Sequence, residues 1–124
     1  MIRKIWKMHS ISIKNASFGV LWAAETQPNY VIHLAFSFLA LLVGYIVGIT
    51  KTEFIIFIFL IFTGLAFETV NTAIEVATDA IDHSWRMDIK VAKDVAAGAM
   101  LIYAVGSAII AAIILIPHIL SFIK

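Results

Sequence analysis

"VAAGAMLIYAVGSAIIAAIILIPHIL", residues Val95–Leu120, contains no Asp, Glu, Lys or Arg. A helix that crosses a membrane needs roughly 20 consecutive, mostly apolar residues, so this stretch predicts a transmembrane helix. The rest of the chain has the same character, because 62% of its 124 residues are hydrophobic and only 14% are charged. Such a composition is typical of an integral membrane protein and excludes an ordinary water-soluble domain.

Two further stretches are predicted to span the membrane. Val31–Ile49 is free of charged residues, and Phe54–Ile81 begins with an apolar run that continues into the polar segment "FETVNTAIEVATD", residues Phe67–Asp79. We therefore predict one all-α, membrane-embedded domain covering residues 1–124, with three transmembrane helices at Val31–Ile49, Phe54–Ile81 and Val95–Leu120.

Positively charged residues indicate how the chain lies in the membrane. The residues concerned are Arg3, Lys4, Lys7 and Lys14 before the first span, Arg86, Lys90 and Lys93 in the loop of residues 79–94, and Lys51 and Lys124 elsewhere. Cytoplasmic segments are enriched in Lys and Arg. We therefore predict that the N-terminus and the loop of residues 79–94 are cytoplasmic and that the C-terminus lies outside.

Residues 1–27 precede the first span and are predicted to form an amphipathic helix on the inner membrane surface. Apolar side chains recur there at near-helical spacing with lysines between them, as in helices that lie in the membrane interface. Two roles stay open for this helix, namely a membrane anchor or a contact with substrate. Pro28 predicts the break between this helix and the first span.

The segment Phe67–Asp79 places its polar residues on one helix face. At about 100° per residue, Glu68, Asn71, Glu75 and Asp79 fall within a sector of about 80°. Counted from Phe54 at the outer boundary, Glu68 lies about 21 Å and Asp79 about 38 Å along a helix that crosses about 30 Å of hydrocarbon. Glu68 and Asn71 are thus expected just inside the cytoplasmic boundary, and the other two just beyond it.

The change in membrane depth along these four residues favours a site where a water-borne reagent meets the hydroxyl group of a lipid. Glu75 and Asp79 could hold a divalent cation, because such ions prefer hard oxygen ligands. Glu68, at the desolvated end, could act as a general base toward a buried alcohol. Lys93 suits phosphate oxygens as a mobile point charge, or it serves only as a membrane anchor.

Two other interpretations stay open. Polar residues in helix bundles also hold helices together by hydrogen bonds, and small residues such as Gly98 and Gly106 are expected at close helix contacts. A proton-coupled transporter would also use intramembrane acids, although its acid is expected near the membrane midplane. A transition-metal site has little support, because the histidines show no recognisable ligand spacing: His9, His33, His83 and His118.

Two segments resemble a known family. "ETVNTAIEVATD" (Glu68–Asp79) and "AKDVAAGAMLI" (Ala92–Ile102), with the intervening loop length, resemble the small bacterial membrane kinases that phosphorylate diacylglycerol or undecaprenol. The resemblance covers about Lys14 to Leu115 and implies a homotrimer in the bacterial inner membrane, with ATP as phosphoryl donor and Mg²⁺ as cofactor. "NYVIHL" (Asn29–Leu34) is more similar to the undecaprenol branch.

The resemblance also implies roles for individual residues. Glu68 would be the catalytic base and would contact the lipid together with Asn71, and Glu75 would be a magnesium ligand. The nucleotide-binding residues implied in this way are Lys14, Asn15, Gln27, Asn71, Glu75, Asp79, Arg86, Lys93 and Asp94.

Two positions depart from the family pattern. Gln27 stands where the family has a second metal-binding glutamate, so the second metal ligand would be Gln27 or, in its place, Glu25. Arg86 stands where the family often has a loop histidine, with His83 nearby, and it could bind phosphate oxygens as a planar fork. The predicted function is ATP- and magnesium-dependent phosphorylation of a membrane lipid alcohol, undecaprenol. Diacylglycerol as substrate, or a catalytically inactive relative, are the alternatives within the family.

Overall fold

The computed structural model describes residues 2–81 and 86–124, with side chains from Ile11 onward. Within these residues the chain forms four helices and no strand: α1 (Ile2–Thr26), α2 (Pro28–Val47), α3 (Lys51–Ile81) and α4 (Met87–Phe122). The predicted all-α fold is therefore confirmed. The three helices α2, α3 and α4 are long and apolar enough to cross a membrane.

Pro28 separates α1 from α2. The residue before a proline is driven away from helical geometry, and Gln27 accordingly has an extended backbone with φ −104° and ψ 113°. Pro28 itself occupies the first turn of α2, where the missing N–H costs nothing. The break thus lies where the proline predicts it.

The turn between α2 and α3 is built by local capping. Gly48 adopts the left-handed conformation with φ 75°, and its N–H and that of Ile49 donate to the last carbonyls of α2. On the other side, the Thr50 N–H and hydroxyl each donate to Glu53 Oε2 at 2.7 Å, and Thr50 Oγ1 accepts from the Glu53 N–H. This capping box defines the start of α3.

The helix ends differ from the predicted span ends. α2 runs from Pro28 to Val47, α3 begins at Lys51, and α4 begins at Met87. Most of the loop predicted at residues 79–94 is therefore helical. The predicted spans end where the first charged residue appears. A helix can continue past that point when its charged side chains pair with one another. Lys90 and Asp94 do so at i,i+4 with 2.5 Å between Nζ and Oδ2.

α3 packs against α1, α2 and α4, and α2 likewise contacts the other three helices. Gly64 leaves room for Tyr103 of α4, since a Cβ built there would lie 2.7 Å from Cε1 of Tyr103. The Tyr103 hydroxyl also donates to the Leu60 carbonyl. By contrast, nothing lies within 4 Å of a Cβ built at Gly98 or Gly106. The close contacts expected at those two glycines are thus absent within the described chain.

The outer surface of the bundle is apolar. Large hydrophobic side chains on three different helices are mostly exposed, for example Phe38 at 69%, Phe62 at 69% and Ile102 at 77%. A soluble monomer rarely exposes so much contiguous apolar surface. Polar residues are instead among the most buried, as expected for helices whose surroundings are hydrocarbon. The protein is therefore an integral membrane protein.

Candidate active site

Glu68 has the most buried of the large side chains in the described structure, with 1% of the residue exposed. It lies on α3, and its Oε1 has no hydrogen-bond partner among the described residues. Its Oε2 lies 3.9 Å from His33 Nε2, which is beyond hydrogen-bond distance. Burying an acid with so little compensation costs free energy, so a purely structural role does not account for it.

Asn71 lies between Glu68 and Glu75 along α3 and is bonded to Glu75. Its Nδ2 donates to Glu75 Oε1 at 3.0 Å, which orients that carboxylate. The residue is 6% exposed, and its Oδ1 has no hydrogen-bond partner within the described part of the chain. A buried acceptor without a hydrogen-bond partner is uncommon in folded proteins. Asn71 Oδ1 and Glu68 Oε1 are therefore two free oxygen acceptors within one turn of α3.

Asp79 and Lys93 join α3 to α4 beyond these two residues. Lys93 Nζ lies 2.5 Å from Asp79 Oδ1, and both side chains are partly exposed. The ion pair brings the C-terminal end of α3 close to the N-terminal part of α4. It also shows that Lys93 is engaged with a carboxylate, which the sequence analysis did not predict.

Exposure rises along the polar face, which consists of Glu68, Asn71, Glu75 and Asp79. The first two residues are buried, whereas Glu75 and Asp79 are intermediate. Hydrogen bonding to the carboxylates follows the same order. Glu75 and Asp79 each accept a hydrogen bond, whereas Glu68 Oε1 accepts none from the described residues. The polar face thus leads from a shielded, uncompensated carboxylate to groups in contact with solvent.

Several predicted site residues lie apart from the polar face. Arg86 forms a forked ion pair with Asp88, at 3.1 and 2.6 Å, and these hydrogen bonds raise the pKa of the Arg86 guanidinium. Asp94 pairs with Lys90. In the part of the chain that the structure describes, no side-chain hydrogen bond or ion pair joins the following residues to the polar face: Lys14, Asn15, Glu25, Gln27, Arg86 and Asp94. His83 lies outside the described residues.

His33 is a site residue that the sequence analysis missed. It projects from α2 toward Glu68 on α3, and this contact between helices leaves no periodic pattern in the sequence. One signal was present, because His33 is the sole histidine in the charge-free stretch between Thr26 and Thr50. Intramembrane ionisable residues are candidates for function even when they stand alone.

The donor atoms on α3 suit a hard cation better than a transition metal. Glu75 supplies carboxylate oxygens, and Asn71 supplies a free amide oxygen. The described residues contain no group of three or more His, Cys, Asp or Glu side chains that could hold a metal ion. Magnesium fits this arrangement, since it is commonly bound by one or two carboxylates together with water and substrate phosphates.

A cavity of about 560 Å³ lies between α2, α3 and α4. Its walls are mainly apolar, with Phe36 and Phe57 among them, and His33 and Gly64 line it as well. Gly64 is one helical turn from Glu68 on α3. The cavity can therefore take a hydrocarbon chain whose polar end is near the polar face.

Fold and site together define an integral membrane protein with an acidic site built on one transmembrane helix. Residues 14–115 match the family model of the prokaryotic diacylglycerol kinases. The undecaprenol kinase of Bacillus subtilis is 36% identical over 106 residues, which cover 86% of each chain. A diacylglycerol kinase of Synechocystis sp. is 33% identical over 115 residues, covering 90% of this chain and 64% of that relative.

The chain belongs to the prokaryotic diacylglycerol kinase family and is a lipid kinase. This membership confirms the resemblance seen in the two quoted segments. It also removes the transporter from the interpretations of the polar face.

Proposed function

We propose that the protein transfers the γ-phosphoryl group of ATP to the hydroxyl group of undecaprenol. The observation that carries the proposal is the buried Glu68 with its free Oε1, at the shielded end of a polar face that leads to solvent. The choice of lipid rests on the similarity to the Bacillus subtilis undecaprenol kinase, which extends over 86% of both chains. Diacylglycerol is the second candidate, supported by the family description and the Synechocystis relative.

Glu68 acts as the general base in this proposal. Oε1 of Glu68 accepts the proton of the lipid hydroxyl. The hydroxyl oxygen forms a bond to the γ-phosphorus as the bond from this phosphorus to the β-phosphate oxygen breaks. A positioned base of this kind contributes about 100-fold to 10,000-fold in rate. Asn71 lies between Glu68 and Glu75 on α3 and would contact the lipid head, and its Nδ2 hydrogen bond to Glu75 Oε1 keeps Asn71 and Glu75 in fixed relation.

The more exposed residues of the polar face hold the nucleotide. Glu75 and either Gln27 or Glu25 would bind Mg²⁺, which when present offsets charge on the phosphates. Lys93 is placed beside Asp79, so its ammonium can exchange that carboxylate for a phosphate oxygen. The remaining proposed nucleotide contacts are Lys14, Asn15, Arg86 and Asp94.

The proposed assembly is a homotrimer. Lys14, Asn15 and Arg86 do not hydrogen-bond to the polar face of their own chain. A neighbouring copy would bring such residues to the site and would cover part of the exposed apolar surface. In the proposed orientation α1 lies on the cytoplasmic surface of the inner membrane, because the lysine-rich and arginine-rich segments are kept inside.

A substrate assay tests this function. Purified protein in detergent is given labelled ATP and magnesium, with undecaprenol and diacylglycerol offered in parallel at equal concentration. We expect label on undecaprenol at a higher kcat/KM than on diacylglycerol. Label on diacylglycerol alone would reverse the choice of substrate. Label on neither lipid, from a folded protein that binds ATP, would favour the catalytically inactive relative.

A further inference from the structure

We propose that His33 is a positioning residue for Glu68. Its imidazole orients the Glu68 carboxylate at Oε2 so that Oε1 faces the lipid hydroxyl. The inference rests on the proposed role of Glu68 as general base. It adds a second helix to the catalytic site, because His33 belongs to α2 and Glu68 to α3.

The two carboxylate oxygens of Glu68 have different surroundings. Oε2 faces His33 Nε2 at 3.9 Å, whereas Oε1 has no partner among the described residues. Neither oxygen accepts a hydrogen bond from a described residue, but Oε2 is the one with the His33 imidazole beside it. The asymmetry therefore assigns orientation to Oε2 and proton acceptance to Oε1.

Other polar groups near Glu68 are engaged elsewhere. The Asn71 amide donates to Glu75, the Tyr30 hydroxyl shares a hydrogen bond with Thr69, and the Tyr103 hydroxyl donates to the Leu60 carbonyl. Among the described residues, His33 is the one whose side chain lies beside Glu68 Oε2 from another helix. In a medium of low dielectric constant such a group has a larger effect than it would in water.

The distance of 3.9 Å is too long for a direct hydrogen bond, and it suits a contact that forms during the reaction. A water molecule could bridge Nε2 and Oε2, or a small side-chain rotation could bring the two atoms within hydrogen-bond distance. Catalytic hydrogen bonds are often long in the absence of substrate and shorten when substrate binds. His33 also lines the cavity between α2, α3 and α4, so a lipid chain entering that cavity passes the imidazole.

The first test compares two substitutions at His33. His33→Leu removes every hydrogen-bond donor, whereas His33→Gln retains an amide N–H. We expect His33→Leu to lower kcat about 10-fold to 100-fold, the loss typical of a group that orients a functional ligand. The KM for lipid should change less than kcat, and His33→Gln should regain part of the lost kcat.

The chain offers a matched control. His118 on α4 faces Glu53 on α3 at 3.1 Å, which is a second imidazole and carboxylate pair at the opposite end of α3. His118→Leu should leave kcat within about twofold of wild type, because catalysis does not use that pair. Wild-type kcat in His33→Leu, or equal losses in His33→Leu and His33→Gln, would overturn the inference.

A second measurement does not need enzyme activity. The infrared difference between wild type and Glu68→Gln isolates the carboxyl band of Glu68. In His33→Leu, we expect that band to shift in frequency, because the carboxyl group loses its imidazole neighbour. An unchanged band in the folded variant would overturn the inference. Turnover by Glu68→Gln would instead overturn the proposed base, so the two failures can be told apart.

Discussion

Glu68 and Asn71 lie one turn apart on α3, and each keeps one oxygen atom free although both are buried. The acids nearer solvent differ from them, because Glu75 is bonded to Asn71 and Asp79 is paired with Lys93. Two buried acceptors without a described partner thus lie in the part of the site where water is scarce. A base that must take a proton from a lipid hydroxyl belongs there, whereas charged phosphates belong beside the solvated groups.

Glu75→Ala should weaken magnesium-dependent nucleotide binding more than lipid binding. The substitution removes a carboxylate that would coordinate the cation, and it releases the Asn71 amide. We expect the magnesium concentration for half-maximal activity to rise. Glu53→Gln is the control, because it removes the same charge from the other end of α3 and keeps hydrogen-bonding capacity. An unchanged magnesium requirement in Glu75→Ala would remove Glu75 from the metal site.

Gln27 and Glu25 give a prediction about the second metal ligand. Gln27 is partly buried between α1 and α2 and makes no side-chain capping bond, whereas Glu25 is exposed. We therefore expect Gln27→Glu to lower the magnesium requirement by adding charge at the ligand, and Gln27→Ala to raise it. Glu25→Ala should change little. If Glu25→Ala alone raises the requirement, Glu25 is the ligand. Three titrations that superimpose on wild type would exclude both residues.

At the scale of the elements, α3 carries both the polar face and the contacts that fix it. Its start is defined by the Thr50 and Glu53 capping box, and Gly64 sets its distance from α4. Glu68 and Asn71 follow Gly64 along the same helix and are buried like it. The position of the proposed base thus depends on how closely α3 and α4 pack.

Gly64→Ala should destabilise the protein by about 1–3 kcal/mol, the usual cost of overfilling a packed contact. The new Cβ would lie 2.7 Å from the Tyr103 ring, which cannot swing away freely while its hydroxyl is bonded to Leu60. Thermal unfolding in detergent measures the effect. Gly106→Ala is the matched control, because it meets nothing within 4 Å and favours the helix by about 1 kcal/mol. Equal stability of the two variants would contradict this account of α3 and α4 packing.

The sequence predicts the polar face and the break between α1 and α2, but it does not predict where α4 begins. The face from Glu68 to Asp79 follows from helical periodicity alone, and the break at Pro28 follows from proline geometry. The start of α4 does not, because Lys90 and Asp94 look like loop residues until they pair along a helix. Likewise, Gly98 and Gly106 resemble a packing motif, whereas the close contact is made by Gly64 with a tyrosine on another helix.

At the scale of the whole molecule, the least predictable features are contacts between helices. Composition and charge-free stretches predict a three-span membrane protein, but no local pattern indicates that His33 faces Glu68 or that Lys93 binds Asp79. Both pairs depend on how α2, α3 and α4 are rotated about their axes. Packing at many positions decides how each helix is rotated, and no short sequence pattern reveals that rotation.

The apolar exterior and the buried polar residues are two parts of one physical arrangement. Hydrocarbon surrounds the helices, so polar groups turn inward and the cavity between α2, α3 and α4 is lined mainly by apolar side chains. A lipid alcohol can enter this space from the membrane, whereas ATP must approach from water. The proposed reaction therefore takes place where these two routes meet, at the buried end of the polar face.

The central claim is that Glu68 removes the proton of the lipid hydroxyl, and Glu68→Gln tests it most directly. Phosphoryl transfer from labelled ATP to undecaprenol is measured for wild type and for this variant, with thermal unfolding and ATP binding as checks of the fold. Because an amide keeps the shape but cannot act as the base, we expect a loss of about 100-fold to 10,000-fold with ATP binding retained. Turnover at the wild-type rate in the folded variant would contradict the account.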